Sequence, residues 1–266
     1  MPQVSVDFRD EVDDFHALLK TLKAEDWERE TAFMDWTPWD VVAHLHYYDV
    51  VSRASLAGEE AFAPERRAVL EAIVAGRSNR ELARERFAGL DAAGLLAEWR
   101  SSAHALAETL GASDPKRRLP WFGPDMGVAM FTTARLMETW AHAQEVYDLV
   151  GATRVFTDRL QHVATIGVKT FGWTFANRGL EIPDPPPYVR LAAPSGAIWE
   201  WNEPSETGCV RGDAVDFCHV VTQGRNVADT ALDVRGAVAI RWMAIAQCFA
   251  GGPVDPPAPG TRGPGG

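Results

Sequence analysis

The sequence predicts an α+β protein, with an up-and-down helical bundle over residues 1–180 and a small α+β domain after it. Three observations predict this division. Apolar residues recur at three- and four-residue spacing through most of the first 178 residues, which is typical of amphipathic helices. The segment LEIPDPPPYV then places four prolines within five residues, a composition that no helix interior tolerates. Beyond it, shorter segments of alternating pattern replace the helical one.

Six helices are predicted in the first part, and no strand is predicted there. Glycine, proline and asparagine bound each apolar pattern, as helix ends require. The predicted helices cover residues 6–23, 38–56, 64–76, 92–110, 126–150 and 157–177.

The second part begins after a proline-rich linker at 181–187 and is predicted to fold over residues 188–251. YVRLAAP, AIWEWNE and TALDVRG have the length and alternation of strands, while GDAVDFCHVVTQG and AVAIRWMAIAQCFAG have a helical pattern. The remaining residues, 252–266, are rich in proline and glycine and offer little to bury. We expect this tail to be disordered.

Composition excludes several classes of protein. The formal net charge of -11 and the pI of about 5.1 argue against nucleic-acid and anionic-membrane partners. The amino terminus has no signal-peptide pattern, and no run of about 18 apolar residues is present. The three cysteines form no CxxC pair, so we expect reduced, buried thiols. These features favour a cytoplasmic protein, and we expect a monomer or a homodimer.

The stretch DWTPWDVVAHLHYYD contains a well-defined helix start. Thr37 is a favourable N-cap, Pro38 suits the first helical position, and Asp40 completes a capping box in place of the usual glutamate. His44 and His46 follow on this helix, and two residues correspond to a rotation of about 200°. The two histidines therefore cannot serve the same site.

A second chemical pattern lies in ARLMETWAHAQEVYDLVG. Glu138 and His142 are four residues apart, so they share one face of an otherwise apolar helix. A buried carboxylate needs a cation or a metal. Arg135, three residues earlier, would provide a simple ion pair, whereas His44 would complete a set of three ligands that leaves a zinc-type ion one open position. The spacing alone leaves both alternatives open.

These segments resemble a known family. WTPWDVVAHL is similar to the second helix of the DinB-like superfamily, in its mycothiol-dependent maleylpyruvate isomerase branch, and RLMETWAHAQEVYDLVG is similar to a later metal-binding segment of that branch. The resemblance implies a four-helix metal-binding domain followed by a small α/β domain. It also implies that His44, Glu138 and His142 bind a divalent metal, most often zinc. Nickel, iron and manganese also suit such a mixed nitrogen and oxygen site.

The resemblance further implies an enzyme that uses mycothiol, or another small thiol, for isomerisation or S-transfer on a small electrophilic or maleyl-type substrate. CVRGDAVDFCHVVTQGRNVAD is similar to a helix of the family's second domain and the Gly-Arg after it. Arg225 is our candidate for binding a substrate carboxylate, because guanidinium groups bind carboxylates in a bidentate manner. A solvated loop arginine is the alternative. Among the tryptophans, Trp36 and Trp121 are expected at the pocket mouth. A non-catalytic metal- or ligand-binding stress protein on the same scaffold remains the alternative function.

Overall fold

The structure is a computed structural model that describes residues 2–263, and it divides into two compact units. Unit 1 is Met1–Val150 and unit 2 is Gly151–Gly266. This division falls about 30 residues before the predicted domain boundary. The reason is that the helix at Leu160–Lys169 packs against the helix at Ala214–Val221, although its own periodicity is indistinguishable from that of the bundle helices.

Helices dominate unit 1 and short strands are concentrated in unit 2. In chain order, the helices are α1 (Gln3–Leu19), α2 (Pro38–Ala57), α3 (Glu59–Val74), α4 (Asn79–Arg86), α5 (Ala92–Ala112), α6 (Val128–Val150), α7 (Leu160–Lys169), α8 (Phe171–Ala176), α9 (Ala214–Val221) and α10 (Ala237–Met243).

The core of unit 1 is a four-helix bundle. Helix α1 packs against α5 and α6, and α2 packs against the same two helices from the other side. Fully buried rings join the layers, as in the edge-to-face contact of Phe15 on α1 with Trp99 on α5, 5.5 Å between centroids. Such apolar burial is the main driving force for packing amphipathic helices. Helices α3 and α4 pack against the outside of α2.

Two predicted helices differ in detail from the structure. The helix predicted to begin at Pro64 begins at Glu59, so Pro64 lies inside α3. A proline removes one backbone donor, and the sequence rule that places proline in the first turn is not obeyed here. The helix predicted over 157–177 is divided at Thr170 into α7 and α8.

A short hairpin between α5 and α6 was not predicted. Its antiparallel strands are β1 (Arg118–Leu119) and β2 (Met126–Gly127), and two residues are too few to produce a period-two pattern. Ser55 of α2 donates a hydrogen bond to the Pro120 carbonyl at 2.6 Å, and Arg117 donates to the Leu56 carbonyl, also at 2.6 Å. These bonds tie the hairpin to α2.

Unit 2 contains a four-stranded sheet in the order β4-β3-β5-β6. Strand β3 pairs in parallel with β5 and antiparallel with β4, while β5 and β6 are antiparallel. The strands are β3 (Tyr188–Ala192), β4 (Ile198–Trp201), β5 (Cys209–Asp213) and β6 (Asp233–Arg235). Three of them coincide with predicted strands, while β5 was not predicted. The three cysteines are buried and free.

The carboxy-terminal segment departs from the expectation of disorder. Residues 252–258 have no regular secondary structure, but their backbone is held by side chains of unit 2. Gln223 donates to the Val254 carbonyl at 2.8 Å, and Asn226 donates to the Pro257 carbonyl at 2.8 Å. Asp229 accepts a hydrogen bond from the backbone of Gly260. Residues 264–266 of the predicted tail lie outside the described residues. Within the described part of the chain, we found no helix with the length and apolarity needed to cross a membrane.

Candidate metal centre

The start of α2 is fixed as its sequence predicts. The Thr37 hydroxyl accepts a hydrogen bond from the Asp40 backbone at 3.3 Å, and Asp40 accepts one from the Thr37 backbone at 3.0 Å. Asp40 also accepts hydrogen bonds from Arg80 at 2.9 Å and Arg84 at 2.8 Å, both on α4. Burial opposes ionisation of Asp40, but Arg84, the Thr37 backbone and Arg80 outweigh it and lower its pKa. One carboxylate thus caps α2 and anchors α4.

His44, on the second turn of α2, meets Glu138 and His142 of α6. The Nε2 atoms of His44 and His142 lie 3.8 Å and 3.5 Å from the same Glu138 oxygen. One nitrogen or oxygen atom from each of the three residues lies within 4.8 Å of the others. Two ligands about 2.1 Å from a tetrahedral zinc ion would be about 3.4 Å apart. The observed separations are therefore close to those of ligands around one ion.

The protonation states of the set also suit a cation. Burial lowers the pKa of His44 to about 4, despite the attraction of Glu138, so the imidazole is neutral near pH 7. Burial opposes ionisation of Glu138, yet its interactions with His142 and His44 outweigh burial and hold its pKa below the usual range. His44 Nδ1 is buried with no hydrogen-bond partner among the described residues. A neutral imidazole and an ionised carboxylate are the forms that coordinate metals.

The ion pair between Arg135 and Glu138 is not formed. Arg135 instead binds Asp49 of α2, with Nη2 2.9 Å from Oδ1, and both side chains are almost fully buried. Its Nη2 also donates to the Leu45 carbonyl at 3.3 Å. Glu138 is therefore left facing the two histidines, which favours the second of the two alternatives left open by the sequence.

Aromatic rings surround the two histidines. Trp36 stacks on His142 with an interplanar angle of 5° and a centroid distance of 5.6 Å, and its ring lies 5.0 Å from that of His44. Phe33 meets His142 edge to face at 5.2 Å. Between these rings, Met34 and Asp35 have φ values of 51° and 56°, a left-handed conformation that non-glycine residues adopt at a cost. The tight turn brings both rings onto His142.

A further group of rings adjoins His44. The Tyr48 ring lies 4.9 Å from His44, one turn along α2. Its hydroxyl donates to Asn79 at 3.0 Å, and its ring lies 6.4 Å from Trp121 and 6.2 Å from Phe122 of the hairpin. The four-residue spacing of His44 and Tyr48 accounts for their shared helix face, whereas nothing in the sequence indicates that Phe122 lies near Tyr48.

His46 is directed away from this centre. Its ring stacks on Phe87 at 4.5 Å, and its Nε2 lies 3.7 Å from Glu98. The structure thus separates the two histidines of α2, as the helical rotation predicts.

Arg225 lies in unit 2, four residues after the end of α9 at Val221. It is 9% exposed, and its Nη1 donates to the Gly224 carbonyl at 2.8 Å. It contributes, with Arg154, to lowering the pKa of His219, which burial lowers most. Arg225 is therefore not the solvated loop arginine of the alternative interpretation, while its role toward a substrate stays a prediction.

Comparison with known proteins places unit 1 in a family. A family model described as the mycothiol maleylpyruvate isomerase N-terminal domain matches residues 8–147, more than half of the chain. The chain belongs to this family. The matched segment ends within three residues of the boundary of unit 1 and includes His44, Glu138 and His142.

The similarity to two relatives extends over almost the whole chain. The uncharacterized proteins Rv0036c and MT0041, from two strains of Mycobacterium tuberculosis, are each 39% identical over 251 residues, covering 93% of this chain and 95% of the relative. The crystal structure of the mycothiol-dependent maleylpyruvate isomerase is similar with a TM-score of 0.55 and 14% identity, covering 85% of this chain and 91% of that chain. A histidine-to-alanine mutant of that isomerase gives the same TM-score. At this identity, the likeness establishes the fold.

Proposed function

We propose that the protein binds a divalent metal ion through His44, Glu138 and His142 and uses a small thiol for isomerisation of, or S-transfer to, a small electrophilic or maleyl-type substrate. The observation that carries the proposal is the convergence of these three side chains inside the segment that matches the isomerase family. Zinc is the ion we favour, because two imidazoles and one carboxylate form a set that leaves one position open. A thiol resembling mycothiol is the proposed cosubstrate.

The donor set fits an ion on two grounds. Among the residues that the structure describes, no arginine or lysine is paired with Glu138, since Arg135 is held by Asp49. The histidine of the set on α2 is neutral near pH 7, so no proton has to be displaced from that ring. A bound divalent cation would lower the pKa of a thiol held at the open position and so supply a thiolate nucleophile.

The residues of this chain would hold and shield that thiolate. Glu138 supplies the negative charge of the set, while Trp36 stacks on the face of His142 and lies tilted beside His44, and an apolar ring at this position would limit the access of water. In the isomerisation, the thiolate sulfur would bond to one carbon of an activated double bond. Rotation about the resulting single bond and expulsion of the thiolate would then restore the double bond in the other geometry. In S-transfer the new carbon–sulfur bond would remain, and the adjacent carbon would take up a proton.

Binding of the substrate would involve a further residue, outside the three metal ligands. Arg225 is proposed to bind a substrate carboxylate, because a guanidinium group offers two parallel donors to it. The predicted alternative is a metal-binding protein without catalysis. It requires the same three ligands for the metal, but it requires no role for Arg225.

The test is a thiol-consumption and double-bond isomerisation assay on the chain reconstituted with zinc. Maleylpyruvate and a simple enone would be offered with mycothiol or a synthetic small thiol. We expect turnover that needs the metal and is lost in Glu138→Gln, while His46→Gln, altered in the histidine that faces Phe87, retains it. Metal binding without any turnover would instead support the non-catalytic alternative. Turnover in the chelator-treated protein would overturn the proposal.

A further inference from the structure

We propose that Tyr48, Trp121 and Phe122, together called the aromatic wall, bind an apolar, planar part of the substrate beside the proposed metal centre. The inference deepens the proposed function, because it concerns the substrate class of the same site. The substrate group that faces the aromatic wall would be an uncharged conjugated or aromatic group and not a carboxylate.

The aromatic wall is continuous with the candidate ligands. Tyr48 lies between His44, at 4.9 Å, and the two hairpin rings, at 6.2–6.4 Å. Trp121 and Phe122 meet edge to face at 5.0 Å. A planar group resting on these rings would therefore lie next to the ring of His44. Ring faces and edges favour other π systems at such separations.

The hairpin rings are held in place although each is partly exposed. Trp121 packs edge to face on the buried Phe131 at 4.8 Å and stacks on the buried Phe62 at 5.8 Å. Phe122 also contacts Phe62, at 5.4 Å. The Ser55 hydroxyl fixes the backbone of the loop through the Pro120 carbonyl. Because the rings are already ordered, a ligand would lose little free energy in ordering them.

The polar group at the aromatic wall is uncharged. The Tyr48 hydroxyl donates to the side-chain carbonyl of Asn79 at 3.0 Å, and a phenol is neutral near pH 7. An amide and a neutral phenol select for uncharged hydrogen-bonding groups, since neither neutralises an anion.

Five arginines of α3, α4 and the segment between them are paired with carboxylates. Arg66 lies over the Phe62 ring at 5.3 Å, but its guanidinium is paired with Glu59 of the same helix. The other four are Arg77, between the two helices, with Glu85, and three arginines of α4: Arg80 and Arg84 with Asp40, and Arg86 with Glu65. Binding a substrate carboxylate with one of them would break an existing ion pair. This charge arrangement favours an apolar occupant.

Three unreactive probes with one common group test the inference. The probes are trans-cinnamamide, crotonamide and the fumaric acid monoamide, which place a phenyl ring, a methyl group and a carboxylate on the same acrylamide. Dissociation constants would be measured by ligand-observed NMR on the zinc-loaded full chain, and again after chelation. The proteins would be the wild type, Trp121→Ala, Phe122→Ala and, as the matched control, Ile73→Ala, an exposed apolar residue of α3.

We expect the phenyl probe to bind at least about tenfold more tightly than either other probe, as hydrophobic pockets discriminate. That ratio should fall to within about threefold in Trp121→Ala and Phe122→Ala and stay unchanged in Ile73→Ala. Because it is a ratio within one protein, a partial loss of folded protein does not produce it, and the measurement after chelation removes coordination of the carboxylate probe by zinc. Tighter binding of the carboxylate probe after chelation, or an unchanged ratio in both ring variants, would overturn the inference. The measurement needs no turnover, so its failure is distinct from an absence of metal-dependent thiol consumption.

Discussion

Arg135 and Asp49 form a buried ion pair between α6 and α2, with 2.9 Å between Nη2 and Oδ1. The pair lies one turn from Glu138 on α6 and a little more than one turn from His44 on α2. Arg135 also donates to the Leu45 carbonyl. It therefore links the two helices that carry the candidate ligands.

Replacement of Arg135 by alanine should destabilise the protein strongly. It leaves the Asp49 carboxylate buried without its cation, which costs about 3–5 kcal/mol. The free energy of unfolding from urea titration measures the effect. Arg66→Ala breaks a partly exposed pair with Glu59 and should cost less than about 1 kcal/mol. Similar values for the two variants would show that the buried pair does not stabilise the contact between α2 and α6.

The three candidate ligands should contribute to zinc affinity and their neighbour His46 should not. His44→Ala and His142→Ala each remove one donor from a set of three, so we expect affinity to fall by more than the roughly 10–100-fold typical of outer-shell changes. His46→Ala should retain the affinity, because that ring packs on Phe87. Isothermal titration with zinc, at a pH near 7, measures both. Equal losses in all three variants would contradict the assignment.

Ionisation of Asp40 should make the free energy of unfolding of the protein depend on pH in the acidic range. The pKa of Asp40 in the folded state is lowered, so its contribution is complete above the unfolded value of about 3.9 and is lost as the pH falls through the folded value. Asp40→Asn should therefore lower the free energy of unfolding by about 2 kcal/mol at pH 6. The difference from wild type should shrink toward pH 3. The exposed Glu60→Gln serves as the control, and a pH-independent difference would rule out this linkage.

Trp36 should hold His142 in position for the metal. Removing the indole in Trp36→Ala takes away the stacked ring, and we expect zinc affinity to fall by about tenfold, at the lower end for groups that orient a ligand. Trp27→Ala is the matched control, because Trp27 is also a buried tryptophan of unit 1. It should destabilise the fold to a similar degree. The idea fails if zinc affinity, measured on the folded fraction, is the same in both variants.

Glycine at position 34 should stabilise the turn before α2. Met34 is 69% exposed and has a φ of 51°, so its side chain gains little from packing while its Cβ opposes the backbone conformation. We expect Met34→Gly to raise the free energy of unfolding by up to about 1 kcal/mol. Met34→Ala keeps the Cβ and should give no gain. Calorimetry of the three proteins decides, and destabilisation by glycine would exclude strain at this residue.

Local signals in the sequence account for much of the candidate site. The capping box at Thr37 and Asp40 fixes the rotation of α2, and that rotation separates His44 from His46. The four-residue spacing of Glu138 and His142 predicts their shared face. These features depend on residues within one helix, so they could be predicted from a single sequence.

Contacts between distant segments could not be predicted in this way. Asp49 and Arg135 are 86 positions apart, and nothing in the periodicity of either helix indicates their pairing. The hairpin that supplies Trp121 and Phe122 has strands of two residues, too short for a pattern. The early division between the units has the same origin, because the partner of α7 is known only once the chain is folded.

The hydrogen bonds made by residues 252–260 have a practical consequence for preparing the protein. Gln223, Asn226 and Asp229 each hold part of this segment, so a shortened chain that ends near 251 would leave their polar groups without these partners. Crystallisation trials that trim the proline- and glycine-rich end would start from a weakened second unit. An affinity tag is better fused ahead of α1 than joined to the end of this segment.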